Sequence, residues 1–184
     1  MLFTRTTLKG IDKPIDGLQR MLYPKIVSAW GVVSGSSSDY NSYSRVYRNQ
    51  TEDGYIPEVY TGSKEYKEVL VNDKIKALSF FSVGETVNYQ GNELQAQVSL
   101  IFFVNLAKIN PSAERADELT RQQIIQMVQG SKAFGFSFTG VETGIDSVMR
   151  EYDGIRKSQG VKYRDTHPFH CFKLNFELRY KSNC

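Results

Sequence analysis

A chain of 184 residues, 40% hydrophobic and 23% charged, fits one globular domain with a real core. Its formal charge of +3, from 23 basic against 20 acidic residues, is too mild to imply nucleic-acid binding by itself. The N-terminus lacks a signal-peptide run, and the longest apolar run, Leu100 to Val104, falls far short of a membrane span. Two cysteines, Cys171 and Cys184, make no disulfide framework and read as thiols of a reducing compartment.

Taken from the N-terminus, Ile15, Leu18, Leu22, Ile26 and Trp30 fall near helical spacing. Pro14 suits a first turn, whereas Pro24 removes a donor in mid-helix, so a helix is expected over about 14–23 followed by a break. The stretch after the break, "KIVSAWGVV", fits either a second helix or a strand. "SGSSSDYNSYSRVYRN" has no apolar period and reads as a loop or extended arm carrying Tyr40, Tyr43 and Tyr47. "YIPEVY" and "YKEVLV" are short strands, the first demoted to an edge by Pro57.

The strongest elements follow. "KIKALSFFSVG" and "ELQAQVSLIFFVNLAKI" read as a long hairpin closed by "GETVNYQGN". Leu94, Ala96, Val98, Leu100, Phe102, Val104 and Leu106 line one face at period two. "NPSAERADELTRQQIIQMVQG" reads as a helix capped by Ser112 and ended by Gly130, with Ala116, Leu119, Ile124, Met127 and Val128 inward. "KAFGFSFTGV" is strand-like, "TGIDSVMREYDG" a short helix capped by Thr143, and "IRKSQGVKYRD" a loop. A last strand is expected over about 169–180, with Phe172, Leu174, Phe176, Leu178 and Tyr180 on one face. The whole is a single α+β domain over 1–184: a mostly antiparallel sheet with helices packed on it, a long β-hairpin, and an extended tyrosine-rich arm over 34–72.

Asp165, His167, His170 and Cys171 crowd together, and the two histidines are the only ones in the chain. A spacing of three places two side chains on opposite faces of a strand, and Pro168 between them opposes a helix. Zinc needs about four converging ligands. The segment therefore reads as a turn into a strand, with no metal, cofactor or catalytic residue assigned and no enzyme expected. "VETGID" lacks the spacing of a phosphate-binding loop, and Glu142, Asp146, Glu151 and Asp153 read as solvated helix-face charges. The best binding surface is basic and aromatic. Tyr40, Tyr43, Arg45, Tyr47, Arg48, Tyr55 and Tyr89 are the candidate interface residues, because tyrosine and arginine are frequent at protein–protein contacts. The same pairing could stack on bases and hold phosphates, so a small nucleic-acid-binding protein is the alternative.

The order of elements, with "YRNQTEDGYIPEVY", "VETGIDSVMREYDG" and "RDTHPFHCFKLNFELRY", resembles the small ring-forming neck and tail-terminator proteins of tailed bacteriophages. Those phrases are similar to sequences of crAss-like phages. The resemblance implies a virion structural protein made in the host cytoplasm and assembled as a closed ring between portal and tail. A twelvefold ring is favoured and a sixfold ring is the alternative. Its partners would be itself, neighbouring portal, neck or tail proteins, and DNA in non-specific passage, with no membrane.

Overall fold

The computed structural model describes residues 1–62, 65–69, 74–110, 116–158 and 167–181. It is an α+β fold built on one open sheet. The strands are β1 (Leu2–Phe3), β2 (Tyr40–Thr51), β3 (Gly54–Gly62), β4 (Glu65–Glu68), β5 (Ala77–Gln90), β6 (Glu93–Asn105), β7 (Phe136–Thr143) and β8 (Phe169–Lys181). Their order across the sheet is β4-β3-β2-β5-β6-β8-β7, and β1 pairs beside β2. Only the β1–β2 and β2–β5 pairings are parallel.

The period-two pattern of the sequence places β6 and β8 correctly. They pair antiparallel from Glu93↔Lys181 to Asn105↔Phe169, and Ala96, Val98, Leu100 and Phe102 share one buried core with Phe172, Leu174, Phe176 and Leu178. The helix α1 (Asp12–Ala29) covers this face with Ile15, Leu18, Leu22 and Ile26. The helix α3 (Asp117–Met127) adds Ile124, and the 3₁₀ turn Val128–Phe134 adds Val128. The opposite face carries a second core, in which Leu78, Phe80, Ile101, Phe103 and Cys171 pack with Ile145, Tyr152 and Ile155. These last come from α4 (Ile145–Val148), the 3₁₀ turn Arg150–Tyr152 and α5 (Asp153–Ser158). A four-residue helix, α2 (Leu106–Ile109), closes β6.

Several expectations change. Pro24 does not break α1, which runs on to Ala29. Pro24 is exposed, and so is Arg20, whose carbonyl the missing N–H would have reached, so water can serve that acceptor while Tyr23 and Ile26 stay buried. Gly130 does not end its helix. The chain continues as 3₁₀ to Phe134 and stops at Gly135 in the left-handed conformation (φ 84). Ser112 and Glu114 lie outside the described residues; Leu119, expected inside, is 50% exposed. Gly144, not Thr143, precedes α4, and residues 155–158 of the expected loop are helical. Glu142 sits on β7, not on a helix face. Burial opposes its ionisation, but hydrogen bonds from Asn175 and Ser147 and the Lys173 ammonium hold its carboxyl below the usual range.

The largest correction is the arm. Tyr40–Thr51 is a twelve-residue strand inside the sheet, and its first half is buried. Tyr40, Asn41 and Ser42 find hydrogen-bond partners there, whereas the Ser44 hydroxyl and the Asn41 Oδ1 do not. Gln19 of α1 donates to the Ser42 carbonyl at 3.0 Å and to the Phe3 carbonyl at 3.1 Å, which ties β1 and β2 to the helix. A register shift between Ser42 and Arg45 breaks the alternation that would have marked a strand. Pro57 likewise lies in a strand paired on both sides, β3. Its carbonyl accepts the Val69 amide, just past the end of β4. Its nitrogen points to that same side, where the missing donor costs the β2 ladder nothing.

Candidate interface: a tyrosine–arginine belt

Two of the seven candidate interface residues belong to the interior. Tyr40 is 1% exposed, shares a 2.7 Å hydrogen bond with the Ser79 hydroxyl and packs against Tyr23 and Trp30. Burial pushes its hydroxyl up to about 12. Tyr43 is 6% exposed and stacks on Phe3, ring centres 4.5 Å apart. Neither can meet a partner in the folded chain.

Arg45 and Tyr47 stand on the face turned toward α1, where the fold adds residues that the sequence did not connect to them. The Arg5 guanidinium bonds the Asp12 carboxylate and the Tyr47 hydroxyl (2.9 Å) and lies 5.1 Å from the Tyr60 ring centre. Arg45 approaches the same carboxylate at 3.9 Å and covers the Tyr47 ring at 4.8 Å. Tyr66 meets Tyr60 at 5.0 Å and Tyr47 at 6.4 Å, so three tyrosines from β2, β3 and β4 form one aromatic row. Burial raises the Asp12 carboxyl above its ordinary range, against the pull of Arg5 and Arg45. Asp12 thus anchors two cations over one aromatic floor.

The belt extends across a split in the sheet. β2 and β5 pair only from Tyr40↔Ala77 to Arg45↔Phe81, after which β2 follows β3 and β5 follows β6. A cavity of about 330 Å³ opens between them, and an Arg48–Glu85 ion pair bridges it. Beyond the split, Tyr89, Leu94 and Tyr180 form a cross-strand row. Burial raises the Tyr180 hydroxyl, with Arg45 opposing and Tyr89 and Asp12 adding. On the other face of β2 and β3, Arg48 covers the Tyr55 ring at 5.2 Å. The Tyr55 amide donates to Asp153 at 3.0 Å, where β3 passes so close to α5 that a Cβ on Gly154 would stand 2.8 Å from the Gly54 carbonyl carbon.

Of the sequence candidates, Arg45, Tyr47, Arg48, Tyr55 and Tyr89 reach the surface, and the fold sets beside Arg45 and Tyr47 four residues that the sequence reading did not single out, Arg5, Asp12, Tyr60 and Tyr66. The "YTGSKEY" stretch did carry two tyrosines, Tyr60 and Tyr66, but nothing in one dimension sets Arg5 beside residue 47.

The histidine–cysteine cluster separates as its strand spacing required. His170 is buried on the first face, stacked on Phe172 at 5.1 Å, whereas Cys171 is buried in the second core. His167 is exposed at the mouth of a cavity of about 100 Å³ that it shares with His170, Asp117 and Arg121. Asp165 lies outside the described residues. Among the described residues no three His, Cys, Asp or Glu side chains converge as a metal cage. No helix among them is long and apolar enough to cross a membrane. No protein-family model matches the sequence, and no curated protein matches it.

Proposed function

We propose that this protein is a structural component of a tailed-phage virion, assembling as a closed ring in the neck between portal and tail around the DNA passage. The observation that carries the reading is the belt. Tyr47, Tyr60, Tyr66, Arg5 and Arg45 form a contiguous, partly exposed surface of residue types that are frequent hot spots of protein–protein contacts. Its cations are already neutralised within the chain by Asp12 and Glu85, which suits a protein partner better than a phosphate backbone. The resemblance of the sequence phrases to ring-forming neck proteins points the same way, and head-to-tail contacts between two different patches generate a ring when the rotation closes.

The test is the mass and the negative-stain image of the purified full-length chain. Closed rings are the expected result. A chain that stays monomeric and moves to a tight complex when single-stranded DNA is added would replace this reading with the nucleic-acid alternative.

A further inference from the structure

The β5–β6 hairpin ends in a feature that its own chain leaves uncovered. Tyr89 is 80% exposed and Val87 39% exposed, two positions apart and so on one side of β5. From Gly84 to Glu93 the only charged residues are two acids, Glu85 and Glu93. A tyrosine so fully in water, next to a valine and framed by acids, makes no use of its apolar ring inside the monomer.

A hollow of matching character lies elsewhere on the molecule. It holds about 580 Å³ and is lined by Arg5, Thr6, Thr7, Lys9, Tyr60 and Tyr66, among others. Over residues 1–13 there are three basic side chains, Arg5, Lys9 and Lys13, against the single acid Asp12. Asp12 also lines the hollow and pairs with Arg5, and Glu85 pairs with Arg48, so the complementary charges left exposed are Lys9 on the aromatic-floored hollow and Glu93 on the aromatic tip. Tyr66 at its rim is 55% exposed.

The hairpin cannot fill its own hollow. Tyr60 lies one residue past the Val46↔Val59 pair, at the level of Arg45, which in turn pairs with Phe81. Tyr89 is eight residues further along β5, but the bulge between Val83 and Val87 leaves it six ladder steps away (Leu100 to Leu94 on β6), about 20 Å at strand rise. The occupant has to come from another molecule.

We infer that the β5–β6 tip of one copy seats in the Arg5–Lys9–Tyr60–Tyr66 hollow of a second copy, with Tyr89 against the tyrosine floor and Glu93 facing Lys9. The contact joins two different patches, so it is heterologous and propagates from copy to copy until the rotation closes. It rests on the ring reading above and names the surfaces that make the ring.

The experiment places a photo-crosslinking p-benzoylphenylalanine at position 89 in the full-length chain and irradiates a mixture of isotope-labelled and unlabelled protein at micromolar concentration. Crosslinks joining position 89 of one copy to residues 5–9, Tyr60 or Tyr66 of another, in species larger than a dimer, are expected. A charge exchange supplies the second arm. Glu93→Lys is expected to raise the concentration needed for assembly about tenfold, and Lys9→Glu in the same chain to restore it. Both positions are exposed, so the fold is not at stake. Rings that form with crosslinks elsewhere, or a Glu93→Lys defect that Lys9→Glu leaves unchanged, would overturn this contact while leaving the ring intact. A chain that remains monomeric, or that crosslinks at position 89 only to an added oligonucleotide, would overturn both.

Discussion

Asp39 shows how a single residue lets a polar segment enter the core. Its carboxylate accepts the Val33 amide at 2.7 Å and the Lys76 ammonium at 3.1 Å, closing the serine-rich turn just before β2 begins. The Val33 hydrogen bond leads in holding its carboxyl below the ordinary 3.8, burial opposes, and Lys76 adds to the lowering. A carboxyl depressed in the folded state binds its proton more readily once unfolded. Its stabilisation is therefore present above 3.8 and is lost as the pH falls through the lower folded value. Asp39→Asn keeps the shape and removes the charge. It is expected to cost about 1–3 kcal/mol near neutrality, the range for hydrogen bonds to a charged group. Urea unfolding of both proteins from neutral to strongly acidic pH checks this: the gap should close below 3.8. A gap independent of pH would mean that the carboxylate charge is not what holds the turn.

At the scale of elements, α1 and β2 both depart from local propensity because tertiary burial outweighs it. Pro24 sits in the interior of an eighteen-residue helix, on its wet side, while Leu18, Leu22 and Ile26 hold the helix to the sheet. Replacing it with alanine restores one backbone hydrogen bond and removes an intrinsic penalty, against some gain in unfolded-chain entropy. Pro24→Ala is expected to raise stability by about 1–2 kcal/mol, read as a shift of the denaturant midpoint at unchanged slope. A loss of stability would show that the proline bend is itself part of the packing. β2 invites a different measurement. It is hydrogen-bonded to β5 on one side and to β1 and β3 on the other, with Tyr40, Tyr43 and Val46 buried. Amides over 40–46 are expected to exchange only through global or near-global opening in a dilute monomer. Fast exchange there would return the segment to the mobile arm that its composition first indicated.

For the molecule as a whole, the decisive property is that the cations of the belt are spent internally. Arg5 and Arg45 share Asp12, and Arg48 meets Glu85. Counterion release makes nucleic-acid affinity depend on cations left free to neutralise phosphates. With a net charge of +3, binding to duplex or single-stranded DNA is expected to be no tighter than roughly 10⁻⁴–10⁻⁶ M near physiological salt. It should fade as salt rises. A titration at two salt concentrations decides the matter. Submicromolar, salt-resistant binding abolished by Tyr47→Ala or Tyr66→Ala would make the tyrosine row a base-stacking platform.

The sequence by itself determined the α+β class, the β5–β6 hairpin and the terminal strand. In β6 and β8 strongly apolar residues alternate without interruption, and a period of two is a property of the backbone that needs no partner to be recognised. It also separated His170 from Cys171, because neighbouring residues of a strand point to opposite faces. Tertiary structure alone decided that Tyr40–Thr51 is a strand and that the sheet carries a second core. The buried half of β2 is made of tyrosine, serine and asparagine, whose burial is tolerable only where Gln19 and Ser79 supply hydrogen bonds, and a shifted register hides its period. The belt was beyond reach for a related reason. Arg5 and Tyr47 lie 42 residues apart and Tyr60 and Tyr66 come from two further strands, so no spacing in the chain records that they meet; only the order of strands across the sheet brings them together.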